Sequence, residues 1–146
     1  MTAAFPAPAW FEALGRLMEA ESENFRRLGF AEMRFCVRVL DDAIGAVETA
    51  TGVTIEGYRV GRAVAGDDLA AFDPDFVIVG RRAVWQRLLD EIARDGRPQP
   101  RRTLNSLVLV GDELWLESSD QLREDKFYRY NQTLQEMFNL AAKLPD

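Results

Sequence analysis

The chain has 146 residues, of which 47% are apolar, so it is long enough and apolar enough to fold as one domain around a continuous core. Its net charge of −6 opposes binding to nucleic acid and to anionic membrane surfaces, because both carry negative charge. The absence of histidine excludes Ser-His-Asp and Cys-His catalytic pairs, and it also excludes zinc or non-haem iron sites that use His.

The N-terminal part of the sequence predicts a short arm followed by an amphipathic helix. Residues 1–9 contain two prolines among small residues, and we expect them to form a flexible arm before a single domain over residues 10–146. From Trp10 to Leu28, apolar residues recur at intervals of three and four with charged residues between them. This spacing predicts one helix that ends near Gly29 and covers a core with its apolar face.

The middle of the sequence has the residue types of β-strands. Over residues 33–39, apolar residues alternate with Arg34, Cys36 and Arg38, which predicts a strand with one buried face. Residues 43–65 are rich in Val, Thr, Ile, Tyr and Gly and favour two or more antiparallel strands. Residues 76–79 are all apolar, which predicts a central strand buried on both faces.

The C-terminal half predicts a helix, a hairpin and a second helix. The spacing over residues 82–94 is helical, and the turn chemistry of residues 95–100 ends that helix. Residues 104–110 and 114–116 predict a hairpin joined by Gly111-Asp112, although this dipeptide is equally suited to start a loop. Ser118 and Gln121 have the form of a capping box, and the helix that follows is predicted to be the longest in the chain.

These elements together predict the fold class. The order is helix, several antiparallel strands, helix, strands and a long helix. We therefore expect a two-layer α+β domain, in which a mostly antiparallel sheet of five or six strands is covered by N-terminal, central and C-terminal helices.

The sequence also predicts where the protein resides. It contains no run of about 18 apolar residues, and its N-terminus lacks a basic region followed by an apolar run. Its single cysteine, Cys36, has no internal disulfide partner, as is typical of a reducing compartment. We expect a cytoplasmic protein without stable membrane insertion.

Two stretches of the sequence carry a resemblance to a known family. Residues 75–89 read Asp-Phe-Val-Ile-Val-Gly followed by Arg-Arg-Ala-Val-Trp-Gln-Arg-Leu-Leu, and residues 104–112 read Leu-Asn-Ser-Leu-Val-Leu-Val-Gly-Asp. The first stretch resembles the Asp-led strand, polar turn and helix of the sterol carrier protein family, and the second resembles the family's late strand. The last helix matches the family's C-terminal helix in position, and the similarity covers residues 30–144.

The resemblance implies a function for the apolar faces. Members of this family hold sterols, fatty acids or acyl thioesters in a tunnel between sheet and helices without reacting with them. We therefore expect a small apolar ligand and no catalytic residue, metal or cofactor. The residues that we expect to line the cavity, with an ordinary filled core as the alternative, are Trp85, Leu88, Leu89, Ile92, Leu107, Leu109, Trp115, Tyr130, Leu134, Met137, Phe138 and Ala141.

A basic segment provides candidate contacts to an anionic head group. Arg94, Arg97, Arg101 and Arg102 lie close together in an otherwise acidic chain, and guanidinium groups bind carboxylate and phosphate well. We expect these side chains to contact the charged end of a ligand, with a solvated loop as the alternative.

Two other function classes stay open at this point. Asp41, Asp42, Asp75 and the tyrosines provide the residue types of an enzyme that abstracts a proton from a steroid-like substrate, as such an enzyme itself or as its accessory subunit. Alternatively, the apolar helix faces pack on a partner protein or on a second copy of the chain, which would make the protein an interaction module such as a homodimer.

Overall fold

A five-stranded sheet forms the centre of the computed structural model, which describes residues 4–145. The first strand, β1, pairs antiparallel with β2 and parallel with β4, and the two remaining pairs, β2 with β3 and β4 with β5, are antiparallel. The sheet is therefore mostly antiparallel, as predicted. The strands, in the spatial order β3-β2-β1-β4-β5, are β1 (Ala31–Leu40), β2 (Val47–Gly57), β3 (Val60–Ala65), β4 (Phe76–Arg81) and β5 (Leu114–Glu117).

Helices cover one face of this sheet, which confirms the two-layer α+β class. None of the helices in the described part of the chain is both long enough and apolar enough to span a bilayer. The α-helices are α1 (Pro8–Ala20), α2 (Ser22–Leu28), α3 (Arg82–Asp95), α4 (Leu104–Val110), α5 (Gln121–Arg129) and α6 (Asn131–Asn139), and short 3-10 segments lie at Gly66–Ala71, Pro100–Arg102 and Leu140–Lys143.

The alternation along β1 determines how the two sheet faces differ. Phe35 and Val37 are fully buried and join the large core under the helices. Cys36 points to the opposite face, where it belongs to a smaller apolar cluster closed by Phe72 from the β3–β4 connection. The period of two in the sequence therefore predicted the strand and its buried face correctly.

The predicted N-terminal helix is divided into two in the structure. Helix α1 ends at Ala20, and Glu21 leaves helical geometry with φ −117° and ψ 35° before α2 begins. The predicted end near Gly29 is correct, since Gly29 follows α2 with a φ of 102°. The apolar spacing continues across the break, so periodicity alone did not reveal it.

The N-terminal residues ahead of α1 contact the domain. The Phe5 ring lies 5.4 Å from that of Trp85, and the hydroxyl of Thr51 donates to the carbonyl oxygen of Pro6. Residues 1–3 of the predicted arm lie outside the described residues.

The prediction of a strand over residues 104–110 is wrong, because this segment is helix α4. The hydroxyl of Thr103 caps its N-terminus by accepting the Ser106 N–H at 3.1 Å, and Gly111 ends it with a φ of 82°. Leu104, Leu107 and Val108 are buried, which is the three-and-four spacing of one short helix face. The run of branched and apolar residues masked that spacing.

The predicted long C-terminal helix is also interrupted. Helix α5 ends before Tyr130, which has φ −112° and ψ 17°, and α6 begins at Asn131. The Asn131 side chain donates to the carbonyl oxygen of Tyr128 at 2.7 Å, so a side chain competes for a backbone acceptor at the break. The N-cap is Asp120, which accepts the Leu122 N–H at 2.8 Å, and not Ser118.

We expect Gly80→Ala to destabilise the fold by about 1–3 kcal/mol, since overpacking a tight core forces neighbours to shift. A Cβ atom at Gly80 would overlap the Leu114 side chain and lie 3.1 Å from the Glu113 carbonyl oxygen. The matched control is Gly61→Ala, where the overlapping atoms belong mainly to the flexible end of Glu56. Urea unfolding of both variants measures the difference, and equal stabilities would contradict the close packing of β4 on β5.

Candidate functional site

The candidate ligand site is the apolar layer between α3 and α6. Trp85 of α3 stacks on Phe138 of α6 with ring centroids 6.2 Å apart and planes at 22°. The Trp85 indole N–H also donates to the Arg38 carbonyl oxygen at 3.3 Å, which fixes the ring against the sheet. Helical spacing therefore brings the two predicted apolar stripes together, as a cavity wall or a core requires.

The space between these helices and the sheet is filled. Trp85 is 1% exposed, and five further residues of the two stripes, namely Leu88, Ile92, Leu134, Met137 and Phe138, are 0% exposed. A tunnel of several hundred Å³ beside these side chains would leave part of their surface accessible to water. A ligand therefore reaches this layer only if one wall moves.

The remaining residues predicted to line the cavity occupy three different environments. Leu107 is buried on the inner face of α4, and three others, Leu89, Tyr130 and Ala141, are partly buried against the same core. Leu109 is 66% exposed, because α4 turns it away from the core. Trp115 packs on the smaller cluster across the sheet from the helices. The structure thus assembles most of the predicted set but separates Leu109 and Trp115 from it.

One hydrogen bond ties α6 to the start of α4. The Leu104 N–H donates to Oε1 of Gln135 at 2.8 Å, and Nε2 of Gln135 donates to Oδ1 of Asn139 at 2.9 Å. Leu104 and Leu134 are fully buried next to these polar partners. We call residues 97–105 the linker, and we call its contact line with α6 the linker–α6 seam. Its polar residues were missed by sequence reasoning, which followed only the apolar stripe.

Two open grooves run along the linker–α6 seam. One has a volume of about 780 Å³ and lies between the linker and the C-terminal half of α6. The other, of about 310 Å³, lies nearer to the start of α6. Both are lined by Thr103, Gln135 and Glu136, so they adjoin one another.

The predicted basic segment does not form a single cluster of available guanidinium groups. The Arg102 side chain is 14% exposed and pairs with Glu91 at 3.0 Å and with Glu113 at 3.3 Å. Arg94 pairs with Asp95 at 3.3 Å. Arg97 lines the larger groove, and Arg101 is exposed.

Glu91 holds the linker in place. This buried carboxylate of α3, which is 5% exposed, accepts the Gln99 N–H at 3.1 Å as well as the Arg102 guanidinium. It fixes the linker to α3, whereas the hydrogen bond between Gln135 and Leu104 joins the linker to α6. The sequence could have indicated this role, because Glu91 follows Leu88 by three positions and therefore lies on the same, inner face of α3.

The aspartates considered for catalysis are engaged in the fold. Asp41 accepts the backbone N–H groups of Ala43, Ile44 and Ala46 at 2.8–3.0 Å, and these bonds, that of Ile44 foremost, lower the pKa of its carboxyl group. Asp42 caps α3 by accepting the Ala83 N–H at 3.0 Å. Within residues 4–145, no group of three or more Asp, Glu or Cys side chains is arranged to hold a metal ion.

Asp75 anchors α5 to the start of β4. It is 6% exposed and accepts the backbone N–H of Arg34 at 2.8 Å. Its carboxylate also pairs with Arg123 at 3.2 Å and with Lys126 at 3.3 Å. These bonds make it a structural anchor, and they hold α5 independently of α6.

Cys36 is buried on the sheet face opposite the helices. Burial raises the pKa of its thiol to about 11, and the nearby positive charges of Arg38 and Arg34 offset only part of this rise. The thiol is therefore protonated at neutral pH, when thiols are poor nucleophiles.

We expect the Cys36 thiol to resist iodoacetamide at neutral pH in the folded protein and to react fully in denaturant, as mass spectrometry of the labelled chain would measure. Because the folded-state pKa lies above the ordinary 9.0, the folded state binds more protons between pH 9.0 and about 11. The stability that the protonated Cys36 thiol contributes is therefore lost as the pH rises from 9.0 to about 11. The free energy of unfolding of Cys36→Ala should not show this decrease. Rapid labelling of the folded protein would contradict the buried position.

Comparison with known proteins identifies the fold. No protein-family model and no curated protein matches the sequence. A crystal structure of sterol carrier protein 2 superimposes with a TM-score of 0.65 at 24% identity, covering 97% of this chain and 100% of that chain. A conserved hypothetical protein of Thermus thermophilus, described as a candidate sterol carrier protein, gives a TM-score of 0.62 at 23% identity, covering 98% of this chain and 90% of that chain.

A third solved structure extends this likeness. Apo sterol carrier protein 2 from Yarrowia lipolytica gives a TM-score of 0.51 at 13% identity, covering 86% of this chain and 99% of that chain. At these identities the likeness concerns the fold. The chain has the sterol carrier protein 2 fold, as the resemblance over residues 30–144 predicted. The match of residues 104–112 to a late strand is wrong, since residues 104–110 form helix α4.

Proposed function

We propose that this protein is a non-catalytic cytoplasmic carrier that binds a lipid-like molecule, such as a sterol, a fatty acid or an acyl thioester, between the sheet and helices α3 and α6. The observation that carries the proposal is the continuous apolar layer in which Trp85 stacks on Phe138, within a fold that solved sterol carrier proteins share. Lipids are bound by sites of this composition, which offer apolar contact without reactive groups.

Binding in this layer requires α6 to move away from the linker. Because the core is filled, the ligand must replace contacts that α6 side chains now make. Helix α6 is separated from α5 at Tyr130. Asp75 pairs with Arg123 and Lys126, which both belong to α5, so it anchors α5 and not α6. The break therefore allows α6 to tilt while α5 stays in place, at the cost of the Leu104–Gln135 hydrogen bond.

The residues that we propose as the wall of the opened site belong to α3, α4, α6 and the 3-10 segment Leu140–Lys143, together with Tyr130 at the break before α6. Met137 is fully buried in the same core as this set, and its flexible thioether side chain adapts to varied apolar shapes. Arg97 and Arg101 are the arginines of the basic segment that we keep as candidate head-group contacts, since Arg94 and Arg102 are engaged in ion pairs. The proposed wall consists of Trp85, Leu88, Leu89, Ile92, Leu107, Tyr130, Leu134, Met137, Phe138 and Ala141.

We expect Met137→Ala to bind a fluorescent long-chain fatty acid about tenfold more tightly than the unmodified protein. Truncating a buried Met leaves space that costs about 2–5 kcal/mol, and a ligand that fills the space recovers part of it. About 1.4 kcal/mol recovered corresponds to the tenfold gain. Fluorescence titration, together with native mass spectrometry of the complex, measures the affinity.

The matched control for this experiment is Leu109→Ala. Leu109 is an exposed apolar residue on the adjacent helix α4, so its truncation should leave the affinity unchanged. Absence of binding to the unmodified protein and to Met137→Ala alike would refute the proposed function. An effect of Leu109→Ala equal to that of Met137→Ala would place the ligand outside the layer.

A further inference from the structure

Uncharged amide side chains are concentrated along the linker–α6 seam. The chain carries 29% charged residues, and its surface elsewhere is dominated by them. The two seam grooves, in contrast, are lined by six of the nine asparagines and glutamines in the sequence. These six are Gln99, Asn105, Asn131, Gln132, Gln135 and Asn139.

Several of these amides have free hydrogen-bonding atoms. Within residues 4–145, the side chains of Gln99, Asn105 and Gln132 make no hydrogen bond. Asn139 uses its Oδ1 to accept from Gln135, which leaves its Nδ2 group available. The grooves thus offer both donors and acceptors at several positions, which suits a ligand group with several hydroxyl or amide functions.

The charges of the grooves oppose a strongly anionic ligand. Arg97 and Glu136 both line the larger groove, and neither makes an ion pair within the described residues. Asp95 adds a second carboxylate, which Arg94 already neutralises in part at 3.3 Å. A phosphate in this groove would face the Arg97 guanidinium together with the Glu136 carboxylate and the partly neutralised Asp95 carboxylate, and repulsion from these like charges offsets the attraction of the arginine.

The grooves adjoin the proposed apolar site. Thr103 and Gln135 line both grooves, and the residues next to them in sequence, Leu104 and Leu134, are fully buried in the core. When α6 separates from the linker, the same movement that exposes Leu104 opens the floor of the grooves. A ligand whose acyl chain lies in the core would therefore place its polar end in the seam.

From this arrangement we infer that the linker–α6 seam binds the polar end of the ligand, and that this end is an uncharged group with several hydroxyl or amide functions. The inference rests on the proposed function, because it assigns the head group of the same ligand. It narrows the range of ligands given for the proposed function, because it favours lipids with an uncharged head group, such as acylglycerols and acylamides, over fatty acids, acyl phosphates and coenzyme A thioesters. The selection follows from amides that recognise hydroxyl groups and from carboxylates that repel anions.

The test is a competition experiment with three ligands that share one acyl chain. Monolauroylglycerol, lauric acid and dodecyl phosphate are each titrated, below their critical micelle concentrations, against the protein loaded with a fluorescent fatty acid. We expect the glyceride to bind about threefold to tenfold more tightly than either anionic ligand. Asn139→Leu, which keeps the branching at Cγ and removes the amide, should abolish most of this preference, because one hydrogen bond contributes about that factor.

Two further variants locate the effect. Glu136→Gln should raise the affinity for dodecyl phosphate several-fold and leave that for the glyceride unchanged. Gln121→Leu is the matched control, since it removes an exposed amide at the start of α5, away from both grooves. Thermal unfolding of each variant verifies that it is folded.

Each outcome separates this inference from the proposed function. Equal or tighter binding of the anionic ligands overturns the inference and leaves the carrier function standing. If Asn139→Leu keeps the same preference for the glyceride as Gln121→Leu, the head group does not bind at the seam. Failure of all three ligands to displace the probe, or of the probe to bind, overturns the proposed function and the inference with it.

Discussion

Phe138→Ala is expected to lower the free energy of unfolding by about 3–5 kcal/mol, the usual cost of removing a buried Phe side chain. The Phe138 ring is 0% exposed and contacts the rings of Trp10, Phe11 and Trp85 at centroid distances of 5.8–6.2 Å. Surrounding side chains from α1 and α3 are held by their own helices, so they fill the vacated space only in part. Urea unfolding followed by circular dichroism measures the change.

The control for Phe138→Ala is Tyr128→Ala on α5, which removes an aromatic ring that is 41% exposed. Its expected cost is below about 1 kcal/mol, since exposed side chains contribute little. A loss for Phe138→Ala no larger than that of the control would mean that the layer between α3 and α6 is not filled in solution.

Asp75→Asn is expected to destabilise the protein by about 2–3 kcal/mol. Removing one partner of a buried ion pair costs about 3–5 kcal/mol, and the partial exposure of Arg123 and Lys126 reduces this figure. The amide keeps the volume of the carboxyl group but leaves Lys126 without its counter-charge, and it leaves Arg123 with Asp73 as its remaining carboxylate partner. Denaturant unfolding measures the loss.

The same substitution at an exposed ion pair provides the comparison for Asp75→Asn. Asp125 pairs with Arg129 one turn away on α5 at 3.1 Å, and both side chains are more than half exposed. Asp125→Asn should therefore cost less than about 1 kcal/mol. If the two variants lose equal stability, Asp75 does not anchor α5 to β4, and the separate movement of α6 loses its support.

The elements with long, regular patterns were predictable from the sequence. The alternation of β1 and the helical spacing of α3 each matched the structure, because one face of each element is buried over its whole length. Helix α4 was not predictable in this way. It has seven residues, most of them β-branched or leucine, and its Thr103 cap and Gly111 end were weaker signals than its composition.

The candidate site was predictable only on its apolar side. Residues such as Trp85 and Phe138 lie on regular stripes, so their meeting in the core followed from the order of the elements. Gln135 was not predictable, because its role depends on the position of the Leu104 N–H, 31 residues earlier in the chain. Trp115 lies on the sheet face opposite the helices. This position was not predictable, because a strand of four residues does not indicate which of its faces is buried.

The position of the ligand is tested most directly by quenching of tryptophan fluorescence with a brominated fatty acid, because bromine quenches only rings that it contacts. One variant retains Trp85 alone, through Trp10→Phe and Trp115→Phe, and a second retains Trp115 alone, through Trp10→Phe and Trp85→Phe. Trp85 lies in the layer between α3 and α6, and Trp115 packs on the opposite sheet face. We expect saturable quenching of Trp85 and none of Trp115, whereas unquenched Trp85 in a complex verified by native mass spectrometry would contradict the proposed site.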